Sequence, residues 1–435
     1  MLRANAYRLG ERCLKVWASD RLLRGFSMLG LGDVFVRLSR VLTAIALARW
    51  LDAAELGIAA TALTTFELIR VLANNGLGQM VVRAAPETLE ATCNTVHRLF
   101  WLICTGMAVL QLIAGALLAS MAGKPELLAM TAILGLVYLT MPPGMVQSWR
   151  LARDQRMGTV ATIWSTQVTL DCLLAALFAV LGFGAWSVVL PKLLTAPIWL
   201  IGVRHACAWR PNRDAGRLPM TAMWTYSGPI LGSELLGAIR VNADKLLVAS
   251  ILGLEALGIY YFAFSAGYGL SVGLTNALTA ASFPHLAAKL SPKELIETFD
   301  SAMRRLALPI CALVTLQSLA IFVYVPLCFG AKWIPVTPVV AVLCMSAVTK
   351  PCSDLAAQLL RAAGFTMLEL KASFVFTVVL LTLFAAALTY GLFTGVVVIA
   401  IVSVSLQALF AAWARARVAS RCIQTSTTTV AANGA

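Results

Sequence analysis

Charged side chains recur inside stretches of the sequence that are otherwise apolar and long enough to cross a membrane. In the first such stretch, Asp33, Arg37 and Arg40 are spaced i, i+4 and i+7, so a helix places all three on one face. Glu67 and Arg70 lie three residues apart in the second stretch. A charge at the bilayer centre costs about 2.5–3.5 kcal/mol on insertion scales, so it is expected to face a protein interior or a watery cavity. These side chains are therefore candidates for binding a charged ligand or for coupling to ions.

More charges of this kind lie further along the chain: Asp171, Lys192, Glu234, Arg240, Asp244, Lys245, Lys350 and Asp354. Arg240 with Asp244 and Lys350 with Asp354 have the i,i+4 spacing of helical ion pairs. For such pairs, and for Glu67 with Arg70, mutual neutralisation inside a helix bundle and ligand binding both remain open. The face that carries Asp33, Arg37 and Arg40 has a surplus positive charge, which makes it a better candidate for lining a substrate cavity.

The composition places these charges in a membrane protein. The chain has 435 residues, of which 60% are hydrophobic and only 12% charged, whereas soluble domains carry about 25% charged residues. Apolar runs of roughly 20 residues, the length that a helix needs to cross a bilayer, recur along the whole chain. The sequence therefore predicts an all-α polytopic membrane protein.

Twelve spanning helices are predicted, at about 26–48, 57–80, 99–121, 127–149, 159–181, 186–206, 223–250, 257–281, 305–329, 335–360, 370–390 and 392–414. Most of the 34 lysines and arginines lie in the N-terminal arm, the even-numbered connections and the tail, whereas the odd-numbered connections hold only Arg49, Lys124 and Lys332. By the positive-inside rule, both termini are cytoplasmic. The net charge of +14 thus reflects topology and predicts no nucleic-acid partner.

The chain is predicted to contain two like halves. Residues 51–58 (LDAAELGI) recur as residues 252–259 (LGLEALGI), and the longest connection lies between these two segments. The expected organisation is a basic cytoplasmic arm (1–25), a six-helix bundle (26–206), a cytoplasmic linker (207–222), a second six-helix bundle (223–415) and a disordered tail (416–435). Because each half has an even number of helices, the repeat is parallel, about an axis along the membrane normal.

Prolines and glycines interrupt several of the predicted helices. They are Pro142 and Pro143 in the fourth, Pro191 and Pro197 in the sixth, Gly228 and Pro229 in the seventh, and Pro351 in the tenth. Such residues can mark bent, gating helices, but they are also common in membrane helices whose neighbours re-satisfy the backbone. Both interpretations remain open for each interruption.

Short motifs follow one another in a fixed order along the chain: Leu47-Ala-Arg49-Trp-Leu51, Glu55-Leu-Gly57, Asn75-Gly-Leu-Gly-Gln79, Val82-Arg83, Asn242-Ala-Asp244-Lys-Leu-Leu-Val248, Leu257-Gly-Ile-Tyr260 and Phe283-Pro284. Together they resemble the polysaccharide-export (O-antigen-type) flippases of the multidrug/oligosaccharidyl-lipid/polysaccharide transporter superfamily. Each is loose by itself, and their order and spacing carry the resemblance, which covers about residues 26–415.

The resemblance implies translocation of a polyprenyl-pyrophosphate-linked oligosaccharide across the bacterial inner membrane by alternating access, for surface or exopolysaccharide biosynthesis. It implies cationic substrate-binding side chains in a central cavity, for which the candidates are Arg37, Arg40, Arg70, Arg240 and Lys245. It also implies antiport of H⁺ or Na⁺, for which the available carboxylates are Asp33, Glu67, Asp171 and Glu234. Membrane lipids, and a polysaccharide polymerase with export proteins, are the further expected partners.

Two other functions are weighed against this one. A drug or organic-cation antiporter of the same superfamily would need a more acidic, aromatic-lined cavity, which the arginines of the predicted helices disfavour. A polymerase of the same pathway would need a large periplasmic loop, which the short outer connections do not supply. The chain has no G-x-x-x-x-G-K-[ST] run for nucleotide hydrolysis, and its ten cysteines lack metal-like spacing. No enzyme activity, cofactor or metal is therefore expected.

Overall fold

The computed structural model describes the protein in residues 21–73, 76–154, 156–212, 215–216, 218, 231, 234–235, 238–239, 242–269, 271 and 292–433. Within these ranges the side chains of 21–34, 83, 292–293, 366 and 421–433 are not described. The described chain is helical with short connections and contains no strand, which confirms the all-α prediction. Of the predicted N-terminal arm, residues 1–20 lie outside the described ranges.

Helices of the first half follow one another with short turns. They are α1 (Arg21–Trp50), α2 (Ala53–Arg70), α3 (Leu77–Arg83), α4 (Leu89–Ala122), α5 (Glu126–Leu139), α6 (Pro142–Arg153), α7 (Met157–Val180) and α8 (Trp186–Ala206). A short 3₁₀ turn (Val71–Ala73) ends α2, and another (Pro86–Thr88) precedes α4. The 3₁₀ turn and the left-handed Gly76 interrupt the second predicted span between α2 and α3.

Three helices of the second half continue into wider π-helical segments, and a tighter 3₁₀ segment precedes a fourth. The helices of this half are α9 (Leu254–Ala263), α10 (Pro292–Ala302), α11 (Leu308–Tyr324), α12 (Thr337–Met345), α13 (Lys350–Ala362), α14 (Thr366–Leu388) and α15 (Leu392–Asn433). Residues 242–252 before α9 are also helical. Single π-helical segments follow α9 (Phe264–Tyr268), α10 (Met303–Ala307) and α11 (Val325–Phe329), and a 3₁₀ segment (Ala331–Val336) precedes α12.

Two compact units divide the chain. The first contains residues 1–51 and 58–242, and the second contains 52–57 and 243–435. The first turn of α2 therefore groups with the second half of the sequence. In the second unit, Phe299 of α10 and Val418 of α15 belong to one buried apolar cluster with Leu359 of α13.

Eight helical segments of the described chain are long and apolar enough to cross a membrane, and the bent pair α5 and α6 makes a ninth. The protein is thus a multi-pass membrane protein. Large apolar side chains such as Ile113, Leu117, Leu319 and Val323 are more than half exposed on these segments, as expected for surfaces that face lipid.

Two of the predicted interruptions break their helices. The axes of α5 and α6 meet at 49°, and Pro142 and Pro143 occupy the first positions of α6. Likewise, α12 ends at Met345, and Pro351 stands at the start of α13. By contrast, α8 is continuous through Pro191 and Pro197, and Gly228 and Pro229 lie outside the described residues.

The last helix continues past residue 415, where the predicted tail begins. Helix α15 continues to Asn433, and Val418 is 1% exposed. Extending a formed helix adds one hydrogen bond per residue without a new nucleation step. The polar sequence after the last span therefore does not by itself end the helix.

Candidate functional site

The face of α1 that packs inward is held against α7. Val36 and Ser39 are 2% and 4% exposed. One turn further on, the Thr43 hydroxyl shares its hydrogen between the carbonyl oxygens of Ser39, at 2.9 Å, and of Cys172 in α7, at 2.7 Å. Because this cross-helix bond fixes the rotation of α1 about its axis, it also fixes the directions in which the other residues of α1 point.

The exposed surface of α1 is divided into an apolar side and a cationic side. Phe35, Leu38 and Leu42 are 61%, 57% and 55% exposed, and Arg37 and Arg40 are exposed as well. At about 100° per residue, the two arginines point roughly opposite to the three apolar side chains. Lipid accounts for the apolar side. The cationic side must meet a polar environment, because a charge facing hydrocarbon is costly.

The two arginines of α1 lie near the middle of the predicted span. Arg40 is ten residues before Trp50, the last residue of the helix, which corresponds to about 15 Å along the axis. That distance is half of a hydrocarbon core about 30 Å thick. Asp33 belongs to the same helix, but its side chain lies outside the described residues, so its predicted position on this face stays a prediction.

Glu67 and Arg70 form the ion pair that their spacing predicts. Arg70 contacts the Glu67 carboxylate through Nη2 at 2.7 Å and through Nε at 2.9 Å. Both side chains remain about half exposed. The preceding residue, Phe66, stacks on the ring of Tyr138, and its carbonyl oxygen accepts a 2.7 Å hydrogen bond from that tyrosine. A rigid contact with α5 thus positions a pair that still presents charge to its surroundings.

Asp171 is paired with a residue that the sequence pattern did not assign to it. Its Oδ2 lies 3.3 Å from Nζ of Lys192 in α8. Its Oδ1 is buried and has no hydrogen-bond partner in the structure. The neighbouring Cys172 accepts the bond from Thr43, so Asp171 sits beside the contact that joins α7 to α1. A buried polar atom without a partner calls for an explanation, and a bound ion is one.

Lys245 is enclosed within the second unit. The residue is 5% exposed, with its Nζ 4.2 Å from the centre of the Phe264 ring and 3.6 Å from Oδ1 of Asp244. The Tyr260 hydroxyl donates a 2.7 Å hydrogen bond to the other oxygen of Asp244. Tyr260 and Phe264 were not among the sequence candidates, because neither carries a charge. The sequence signal that could have identified Tyr260 is its place in the motif Leu257-Gly-Ile-Tyr260.

The other candidates of the second half fall into two groups. Glu234 is exposed, whereas Arg240 lies outside the described residues. Lys350 contacts Asp354 at 2.9 Å, which is the pairing that their i,i+4 spacing predicts. Among the described residues, no three His, Cys, Asp or Glu side chains come together as metal ligands.

Many apolar helices with charged side chains at membrane depth define the protein as a multi-pass helical membrane protein, and its fold occurs in solved transporters. A lipid II flippase MurJ in an inward closed conformation matches with a TM-score of 0.71 over 88% of this chain and 86% of its own, at 10% identity. An inward-facing multidrug resistance MATE family transporter of the MOP superfamily matches with a TM-score of 0.69 over 88% and 95%, at 15% identity. At these identities the likeness concerns the fold alone.

The chain belongs to the family described as polysaccharide biosynthesis protein, which matches residues 46–338. It is 26% identical over 71% of its length to the succinoglycan biosynthesis transport protein ExoT of Rhizobium meliloti (strain 1021) and spans 62% of that protein. It is 26% identical over 72% of its length to the teichuronic acid biosynthesis protein TuaB of Bacillus subtilis (strain 168), spanning 67% of that protein.

A third relative is the lipopolysaccharide biosynthesis protein WzxC of Escherichia coli (strain K12), 21% identical over 79% of this chain and 70% of that protein. The resemblance derived from the sequence motifs is thereby confirmed. The relatives and the solved neighbours are named for transport, flipping or polysaccharide biosynthesis and not for an enzymatic reaction. This agrees with the expectation that the chain is not an enzyme.

Proposed function

We propose that this protein moves a polyprenyl-pyrophosphate-linked oligosaccharide across the bacterial inner membrane by alternating access, for surface or exopolysaccharide biosynthesis. The family and the named biosynthesis and transport proteins among its relatives support this function. In this proposal twelve helices form two six-helix bundles related by a parallel repeat, and both termini are cytoplasmic. The alternation of basic and neutral connections supports that orientation.

One observation supports an anionic substrate more than any other: α1 exposes Arg37 and Arg40 on the side opposite its exposed apolar residues. A pyrophosphate is a compact, multiply charged anion, and guanidinium groups bind its oxygens through two parallel hydrogen bonds. A cationic surface about halfway across the membrane therefore matches the pyrophosphate group. The same surface would repel an organic cation, which disfavours a drug antiporter.

We assign the substrate's pyrophosphate to Arg37 and Arg40, with Arg70, Arg240 and Lys245 as further cations along the path. Arg70 is about half exposed and already bound to Glu67, so it can exchange that partner for a phosphate oxygen. Lys245 is buried against Phe264 and Asp244, so a direct contact with substrate requires this group to become exposed during transport.

We further propose that a carboxylate among Asp33, Glu67, Asp171 and Glu234 carries the coupling H⁺ or Na⁺. The buried, partnerless Oδ1 of Asp171 supports this role for Asp171. Its other oxygen contacts Lys192, which leaves Oδ1 as the oxygen available to the ion.

The decisive experiment replaces both arginines of α1. In proteoliposomes that contain a labelled polyprenyl-pyrophosphate oligosaccharide, Arg37→Ala/Arg40→Ala should lower translocation at least tenfold, because the pyrophosphate loses its charge-assisted hydrogen bonds. Arg37→Lys/Arg40→Lys should retain part of the activity, since the charge remains without the bidentate geometry.

Leu38→Ala/Leu42→Ala is the matched control, because it alters the apolar side of the same helix and should leave translocation within about twofold of the parent. Membrane abundance and thermal stability are measured for each variant. Undiminished translocation by a well-inserted Arg37→Ala/Arg40→Ala variant would remove the assignment of this surface to the pyrophosphate.

A further inference from the structure

Two glycines of the second unit bring two helices into backbone contact. A Cβ atom placed on Gly57, in the first turns of α2, would lie 1.8 Å from the carbonyl oxygen of Leu254 in α9. A Cβ atom placed on Gly258 would lie 1.8 Å from the carbonyl oxygen of Ala53. Even alanine is therefore too large at either position unless the helices move apart. We call this contact the glycine crossing.

The glycine crossing is reciprocal with respect to the sequence repeat. In the pairing of LDAAELGI (51–58) with LGLEALGI (252–259), Gly57 corresponds to Gly258 and Ala53 corresponds to Leu254. Gly57 therefore lies against the carbonyl of Leu254, and Gly258 lies against the carbonyl of Ala53, which corresponds to Leu254. Such an exchange of equivalent contacts is what a two-fold relation between repeats produces at its axis.

The first turn of α2 is held rigidly, so the α2 side of the glycine crossing can move as a unit. The backbone N–H of Glu55 donates a 2.7 Å hydrogen bond to Oδ1 of Asp52, and the N–H of Asp52 donates to the Glu55 carboxylate at 3.1 Å. This reciprocal pair is a capping box, which fixes the start of a helix. Lys332, from the 3₁₀ segment before α12, lies within electrostatic range of both carboxylates.

The glycine crossing closes tightly but is held by weak forces. Backbone atoms and Cα–H groups meet there, and each such contact contributes about 0.1–1 kcal/mol. Small residues at crossings of membrane helices permit this close approach. A contact of this kind excludes a substrate when formed, and it can separate without unfolding either helix.

We propose that the glycine crossing is the closure at the extracytoplasmic end of the translocation path, and that Gly57 and Gly258 position the two helices for it. Both helices begin at predicted outer connections, directly after Asp52 and Gly253. The crossing forms while substrate is loaded from the cytoplasmic side and separates for release. The assignment of loading to the cytoplasmic side and of release to the outer side rests on the proposed function, whereas the separation of the two helices does not.

The separation is measured between two exposed residues that correspond in the repeat, Ala54 and Glu255. Spin labels attached there through p-acetylphenylalanine avoid the ten native cysteines. The parent protein should give a dominant short distance. Gly57→Ala and Gly258→Ala should each add or enrich a longer population, by 5 Å or more, and should lower translocation at least fivefold.

Gly106→Ala is the matched control, because a Cβ atom at Gly106 meets nothing within 4 Å and should change neither the distance nor the transport. Cross-linking Ala54→Cys to Glu255→Cys with a short bifunctional thiol reagent should arrest translocation relative to variants that carry only one of the two substitutions and receive the same reagent. Unaltered distances in both glycine variants, or undiminished translocation by fully cross-linked protein, would overturn the proposal. If the glycine variants shift the distance while the parent moves no lipid-linked oligosaccharide, the proposed substrate fails and the closure stands.

Discussion

The indole nitrogen of Trp209 donates a 2.9 Å hydrogen bond to the carboxylate of Glu90, 119 residues earlier in the chain. The other oxygen of Glu90 lies 2.6 Å from Nη1 of Arg150. Gln147 also donates to the Trp209 carbonyl oxygen, at 3.1 Å. The segment that begins the predicted linker between the two halves is thus fastened to α4 and α6.

Replacing Trp209 by phenylalanine should loosen this segment while preserving most of its apolar contact. Losing a donor to a charged acceptor costs about 1–3 kcal/mol, and the lower end is expected because Arg150 still binds Glu90. Trypsin should therefore cleave the linker of Trp209→Phe several-fold faster in inside-out vesicles. Trp164→Phe is the control, because Trp164 is 46% exposed on α7. Equal cleavage rates in the two variants would contradict the anchoring role.

Asn94 and Thr95 of α4 extend the same attachment along the linker. The Asn94 amide donates to the carbonyl oxygens of Asn212 and Gly216, and its own carbonyl accepts from the Asn212 N–H at 3.1 Å. The Thr95 hydroxyl accepts from the N–H of Leu218 at 2.9 Å. Composition identified this stretch as a connection between halves. It could not show the attachment, because the partners are polar residues inside an apolar helix more than a hundred positions away.

The predicted breaks show how far sequence reasoning extends. Pro143 and Pro351 are each the second residue of a new helix, and each lies ten residues before an arginine in the last turn of that helix, Arg153 and Arg361. Pro191 sits inside an unbroken α8. A proline removes one backbone donor in every case, and the neighbouring helices decide whether the chain bends there. Local sequence therefore locates candidate breaks without selecting among them.

Local sequence likewise predicts only some of the contacts that the intramembrane charges make. Pairs within one helix, such as Lys350 with Asp354, follow from spacing alone and are formed. The pairing of Asp171 with Lys192 joins two helices, and Lys245 meets the ring of Phe264. Contacts between helices depend on the rotation of each helix about its axis. A sequence that is apolar on nearly every side of a helix does not determine that rotation.

Asp171 and Lys192 should be energetically coupled. Replacing one partner of a partly buried ion pair leaves the other charge poorly solvated, so each single variant, Asp171→Asn or Lys192→Gln, should unfold at a lower temperature in detergent. The double variant should recover part of the loss, giving a coupling of about 0.5–3 kcal/mol in a double-mutant cycle. Strict additivity of the two single effects would show that the 3.3 Å contact contributes nothing.

Asp171→Asn also tests ion coupling independently of stability. The amide cannot titrate, so translocation by this variant should lose its response to an imposed H⁺ or Na⁺ gradient if Asp171 carries the ion. Asp300→Asn is the control, because Asp300 forms an exposed pair with Arg415 and has no assigned role in coupling. An unchanged gradient response in Asp171→Asn would exclude Asp171 as the coupling group.

Gly115 in α4 should tolerate no side chain as long as Thr131 faces it from α5. A Cβ atom on Gly115 would lie 1.8 Å from Oγ1 of Thr131, whose side chain is fully buried and donates a 2.7 Å hydrogen bond to the Leu127 carbonyl. Gly115→Ala should therefore destabilise the protein by about 1–3 kcal/mol through overpacking. Adding Thr131→Ala should restore part of the stability, because it removes the atoms in the way. Gly106→Ala in the same helix has open space and should change the unfolding temperature little. A similar loss in the Gly115 and Gly106 variants would show that helix propensity, and not the contact with Thr131, decides the outcome.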